Sequence, residues 1–296
     1  MSNSKKLIMV ALSLMLACGL GLSACSTPKT DSSTNNNNST AGNNNSSSTS
    51  QGTGNSTANS LGLVNAGKLT IGSDCDYPPF ISMQDGKPVG FEYELMQAIS
   101  KDMGLELNYL PPQNFDTLVA SVAGGGKMDL AVSSITVKDD RAKLVDFTIT
   151  YCDSNQACVT LKSSSFKSTS DLAGKVVGAQ SGTTGEGWAK ENLKGATVKG
   201  FNQTSEGLAA LRSGDIDALF FDEPVAKYQV NNTYTDCQVL EVIPTGEQYA
   251  FAVSKDNPTL KNAVNASLQK LMDNGTFDQL FYKYFKYHPT LHKSSN

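Results

Sequence analysis

Histidine is nearly absent: the 296 residues hold two, His288 and His292, both close to the C-terminus. A Ser-His-Asp or Cys-His nucleophile would have no base to activate it, and a histidine-rich metal site is excluded. Basic charge is also short, with 24 lysines and arginines against 28 acids and a formal net charge of −4. No basic stripe is available to neutralise a phosphate backbone, so nucleic acid is not an expected partner. No two cysteines are spaced as CxxC. The longest apolar run, Leu7 to Leu22, is about 16 residues, short of the roughly 20 that a spanning helix needs.

That run follows Lys5 and Lys6 and ends on Leu22-Ser23-Ala24-Cys25, the layout of an export signal. The four residues resemble the lipobox of bacterial lipoproteins. Small side chains at 23 and 24 suit a narrow protease groove, and Cys25 supplies the thiol that takes the lipid. Residues 1–25 are therefore expected to be a lipoprotein signal peptide, rather than a plain signal with an incidental cysteine. Residues 26–60 are dominated by Asn, Ser and Thr. Such a segment buries too little to offset the entropy of ordering, and is expected to be a disordered tether. Behaving as a flexible coil it would reach about 30 Å, and at most about 120 Å. That is what a membrane-anchored, extracytoplasmic domain requires.

All 28 acids lie beyond Cys25 while two of the 24 basic residues precede it, so the processed chain is more acidic still. About 230 residues remain after the tether, enough for one large or two small cores. Four cysteines fall in this part: Cys75, Cys152, Cys158 and Cys237. Export permits disulfides, and four thiols allow three pairings that sequence does not separate. Cys152 with Cys158 is a poor pair if the stretch is extended, spanning about 20 Å against the ~6 Å of a bridge. Buried free thiols and one disulfide both remain open.

The pattern of elements is alternating. "KLTIGSD" (68–74) is a strand ending on an acid, and Gly90-Phe91-Glu92 opens a helix with Leu95, Ile99 and Met103 on one face. "LELNYL" is a second strand. Phe115, Leu118, Val119 and Val122 fall at i, i+3, i+4 and i+7, and Gly124-Gly125-Gly126 stops that helix. "MDLAVSS" is a third strand. After "VDFTITYC" the pattern restarts: "KVVGAQ" strand, "GEGWAKENL" helix, "TVKGF" strand, "SEGLAALRSG" helix, "DALFF" strand. Strands alternating with helices predict parallel α/β sheets.

The two series rhyme. "GGGKMDLAVSSIT" and "RSGDIDALFFDEP" share Gly, any residue, Met or Ile, Asp, then a short apolar strand with a polar end. Two similar lobes are expected, facing each other across strand ends, where open α/β sheets bind ligands. Four such ends carry polar groups: Asp74-Cys75-Asp76, Ser133-Ser134, Gln180-Ser181 and Asp222-Glu223. Asp222 has two readings, a loop acid that caps the next helix or a carboxylate turned to a ligand. Ser134, Thr136 and Arg141 lie close together in "SSITVKDDRAKLVDF", and a guanidinium fork suits a carboxylate. "QSGTTGEGW" sets hydroxyls and free N–H groups at a helix start, which favours an anion, although a plain capping turn fits too. One anion receptor and one cation receptor describe a zwitterion, an α-amino acid. "GGGK" is not a phosphate loop, since Met128 stands where Ser or Thr is needed and a strand follows.

From about residue 66 to 287 the chain resembles the family 3 extracellular solute-binding proteins, receptors of polar amino-acid ABC importers. The resemblance is carried by "SDCDYPPF", "GKPVGFEYELMQAI", "FDTLVASVAGGGKMDLAVSSIT", "DDRAKLVDF", "SGTT", "GDIDALFFDEP" and "NGTFDQLFYKYF". It implies a periplasmic-binding-protein-like type II fold of two α/β lobes. Lobe 1 would be 61–153 and 249–296, lobe 2 would be 154–248, with crossovers near 150–158 and 246–252. It implies that Arg141 takes the ligand α-carboxylate with Thr136, Thr183 and Thr184, and that Asp222 takes the α-ammonium beside the Ser134 carbonyl. Tyr77 and Phe115 would sandwich the ligand side chain, and Asp74 and Gln180 would meet its head group. Negative charge at Asp74 and Asp76 favours arginine, lysine or histidine, with glutamine next, because an acidic ligand buried there would cost several kcal/mol. The resemblance further implies a monomer with no cofactor, a membrane permease as partner, and no catalysis. A receptor for a signalling partner, or a cyclohexadienyl-dehydratase-like enzyme on the same fold, are the alternatives.

Overall fold

The computed structural model describes residues 60–289. The signal peptide, Cys25, the tether short of Ser60, and His292 lie outside the described residues. Along the chain run β1 (Lys68–Gly72), β2 (Asp76–Tyr77), β3 (Ile81–Gln84), β4 (Lys87–Val89), α1 (Phe91–Asp102), β5 (Glu106–Tyr109) and α2 (Phe115–Ala123). Next come β6 (Leu130–Ala131), α3 (Asp139–Ala142), β7 (Val145–Phe147), β8 (Cys152–Leu161), β9 (Val176–Gln180) and α4 (Thr184–Asn192). The rest is β10 (Thr197–Phe201), α5 (Thr204–Ser213), β11 (Ala218–Asp222), α6 (Glu223–Asn232), β12 (Cys237–Tyr249), β13 (Ala252–Ser254), α7 (Pro258–Asp273) and α8 (Thr276–Phe285).

Two five-stranded sheets carry the fold, ordered β5-β1-β6-β13-β7 and β10-β9-β11-β8-β12. The orders correspond strand for strand, which explains the sequence rhyme. In each sheet an aspartate just ahead of the third strand pins its parallel neighbour. Asp129 Oδ2 accepts the Thr70 amide of β1 at 2.7 Å, and Asp217 Oδ2 accepts the Val176 amide of β9 at 2.9 Å. The sheets are mixed rather than parallel, which corrects the expectation from alternation. β13 runs antiparallel to β6 and β7, and β8 antiparallel to β11 and β12. These reversed strands belong to the crossovers. The chain leaves the first lobe into β8 and returns through β12, the two pairing at Cys152 with Tyr249 and Ser154 with Glu247.

Burial follows the expected faces. Leu95, Met96 and Ile99 of α1 and Leu118 and Val122 of α2 are buried, and β11 is buried at all five positions. Met103, expected on the α1 face, falls just past the helix as its cap. The "MDLAVSS" strand is regular only over Leu130–Ala131, and the backbone enters the left-handed region at Ser134, with φ 47°. Helices α7 and α8 return to the first lobe, where the Phe91 ring meets Phe277 at 5.4 Å and Phe281 at 5.3 Å. Cys75, Cys152, Cys158 and Cys237 are all free and buried. Among the described residues no helix is long and apolar enough to cross a membrane.

Candidate functional site

The strand ends of the two sheets face each other over one narrow cavity. It is lined by Asp74, Tyr77, Phe115, Ser134, Thr136, Arg141, Gln180, Thr183, Thr184 and Asp222, with Ser133 besides. All ten residues singled out in the sequence are thus brought to one place. Little space separates the walls, and several hydrogen bonds cross directly from one lobe to the other.

Arg141 enters from α3, buried to 7% exposure. Its Nη1 donates to the Thr136 carbonyl and its Nη2 to the Gly182 carbonyl, each at 2.9 Å, so the fork spans both lobes. The guanidinium lies 5.4 Å from the centroid of the Phe115 ring, a cation–π contact that holds its plane. Burial pulls its pKa down, while Asp140, Asp222 and Glu247 pull the other way. Gly182 has φ +79°, and a Cβ there would stand 2.8 Å from that of Asp116. Only glycine allows this approach of the "SGTT" turn to the start of α2.

Asp222 occupies the N-cap position of α6 but makes no side-chain cap bond, so the capping reading of this acid does not hold. Its carboxylate turns instead to Tyr249, which donates to Oδ2 at 2.5 Å, and to the Gln156 amide, which donates to Oδ1. The Asp222 amide donates to the Tyr77 hydroxyl at 2.9 Å. Burial, and then the charge of Glu247, push the Asp222 carboxyl up to about 7. Pro224, the second residue of α6, removes one of the two amides that a capping carboxylate would use.

At the other end Asp74 Oδ1 accepts from Ser133 at 2.5 Å and Oδ2 from Gln180 Nε2 at 2.9 Å. Burial raises its pKa, with these bonds opposing. Asp76 reaches the second lobe, where Oδ2 accepts the Ser205 amide at the start of α5 at 2.8 Å. Thr183 is the N-cap of α4: it accepts from the Glu186 amide and donates to the Gln180 carbonyl. The capping reading of that turn is therefore correct for the Thr183 hydroxyl. Ser134 gives both its amide, at 2.8 Å, and its hydroxyl, at 3.1 Å, to Glu92 Oε1. Among the described residues no cluster of His, Cys, Asp or Glu is placed to hold a metal ion.

Sequence reasoning missed Glu92, Gln156, Tyr249 and Glu247. Glu92 is fully buried, and burial lifts its carboxyl to about 7. Glu247 Oε2 accepts the hydroxyls of Thr136 and Thr184, both at 2.7 Å. These partners lie 63 and 111 positions away, beyond any local pattern.

Two α/β lobes on a pair of crossover strands, with a charged cleft between strand ends, define a two-lobed receptor for a small polar solute. The chain belongs to the bacterial extracellular solute-binding proteins, family 3, which it matches over residues 69–287. This is a family of binding proteins rather than enzymes. The L-cystine-binding protein of Escherichia coli is 32% identical over 222 residues, covering 74% of this chain and 83% of that one. The arginine-binding extracellular protein of Bacillus subtilis is 30% identical over 241 residues, covering 80% and 92%. Among solved structures, an amino-acid ABC transporter substrate-binding protein from Streptococcus pneumoniae bound to L-arginine is 36% identical with a TM-score of 0.68. That likeness covers 74% of this chain and 95% of the other.

Proposed function

We propose that this protein captures a polar amino acid between its lobes and delivers it to the membrane permease of an ABC importer. Arginine, lysine or histidine are the preferred ligands, with glutamine next. One observation carries the proposal: Arg141, from the first lobe, and Asp222, from the second, line the same cavity. Arg141 takes the α-carboxylate and Asp222 the α-ammonium. Neither lobe holds both charges, so a zwitterion favours the closed form by its differential affinity for it. Asp74, at the side-chain end, pairs with a cation and repels an acid. The relatives named for arginine support this preference, and the one named for cystine sets the rival ligand to exclude.

The anchor belongs to the same proposal. Cys25 carries the lipid, residues 26–60 form the tether, and the receptor works as a monomer outside the cytoplasmic membrane. Its lobes divide at 153/154 and 248/249. A thermal-shift screen against the twenty amino acids, ornithine and cystine tests the ligand class. Stabilisation by a basic amino acid is expected, and stabilisation by glutamate and aspartate alone would sink the charge argument.

A further inference from the structure

Glu247 is placed where the chain passes between the lobes, and a bulge in β12 aims it. The register of β12 on β8 shifts between Ile243 and Glu247, with Gly246 at φ +64° in the slip. The side chain then meets both halves of the cleft. Oε2 accepts Thr136 from the first lobe and Thr184 from the second, each at 2.7 Å. Oε1 accepts Thr245 and the Gln156 amide, each at 2.9 Å. The same Gln156 nitrogen donates to Asp222, so one amide is shared by two carboxylates. Its orientation is costly, because Gln156 Oε1 is buried with no donor. The pocket around that oxygen is tight: a Cβ at Gly185 would stand 2.6 Å from it. In this orientation the amide turns its N–H side to both carboxylates, Asp222 and Glu247.

We propose that Glu247 is a positioning residue of the amino-acid site, clasping one threonine from each lobe on closure and holding Asp222 through Gln156. This rests on the amino-acid reading above and adds to it a residue that does not line the cavity. Loss of the clasp acts after encounter, so it appears in release rather than capture. The clasp also sets a charge beside Asp222. The other ionisable groups facing Asp222 are Tyr77, Tyr249, Cys152 and Arg141. Burial holds the two tyrosines and the thiol in their neutral forms, and Arg141 stays positive. None of these four competes with Asp222 near neutral pH.

The test uses Glu247→Gln and Glu247→Asp in the full domain, with L-arginine titrated calorimetrically from pH 5.5 to 8.5 and followed by stopped-flow. For Glu247→Gln, affinity at pH 8 is expected to fall about tenfold or more through the off-rate, with the on-rate within threefold. Its acid-side decline in affinity moves to lower pH, since Asp222 has lost a negative neighbour. Glu247→Asp keeps the charge but not the reach, so its off-rate rises while the acid-side decline stays where it is. A native off-rate in either folded variant, or an unmoved decline in Glu247→Gln, overturns the inference. Native protein that binds no amino acid at all overturns instead the function on which it rests.

Discussion

Asp222→Asn removes a buried charge that folding disfavours and that the proposed ammonium contact requires, so its two expected consequences have opposite signs. Burial and Glu247 hold the Asp222 carboxyl at about 7, against 3.8 when unperturbed. The folded-state value lies above the unfolded one. The associated stability is therefore complete below about pH 4 and is lost as pH rises through about 7. At about 1.4 kcal/mol per unit, keeping this group ionised at pH 8 costs about 4 kcal/mol. Asparagine carries no charge and keeps the geometry. Its oxygen can accept from Gln156, and its amide can donate to Tyr249, whose own hydroxyl hydrogen has Ser154 Oγ at 3.0 Å. The variant is expected to be more stable than the native protein in the absence of amino acid, by up to about 4 kcal/mol at pH 8 and by about 2 at pH 5. The ligand ammonium loses its counter-charge, at about 3–5 kcal/mol or some hundred- to several-thousandfold in affinity. Urea unfolding at both pH values and calorimetric titration measure the two effects. A gain in stability that does not grow with pH, or an affinity within threefold of native, would refute the reasoning.

Asp74→Asn tests the side-chain end: arginine and lysine should weaken about tenfold to a hundredfold, while glutamine stays within threefold, by calorimetry. Gly182→Ala places a methyl group at φ +79°, 2.8 Å from Asp116. Strain of about 1–2 kcal/mol should oppose closure and weaken binding about tenfold, with solution scattering showing a more extended particle. An unchanged scattering profile together with native affinity would show that this approach is not needed.

Much of the fold was legible because the physics was local. The helical faces of α1 and α2 and the strands β9, β10 and β11 came from spacing alone, and Gly124 ends α2 as expected. Strand direction was not legible, since side-chain alternation is the same in parallel and antiparallel ladders; hence the mixed sheets came as a correction. The small three-stranded sheet β2-β3-β4 has strands of two to four residues with prolines between and within them, too short to show a period. In the site, Arg141 and Asp222 were visible as opposite charges at strand or helix ends. The packing of Tyr77 and Phe115 came only with the family resemblance. Glu247 and Gln156 escaped both routes, because their roles depend on partners brought together by the crossover strands.

The strand β13 lies between β6 and β7 in the first sheet, yet it is made only after the whole second sheet. Phe91 of α1 likewise waits for Phe277 and Phe281, near the end of the chain. A polypeptide emerging from its N-terminus can therefore complete its later half-body before its earlier one. Until synthesis is nearly over, the leading segment has no finished core to lock it, which suits a chain that must be threaded through a translocation channel. A truncation at residue 250 is accordingly expected to leave the first lobe unfolded, with amide exchange protection confined to β8–β12.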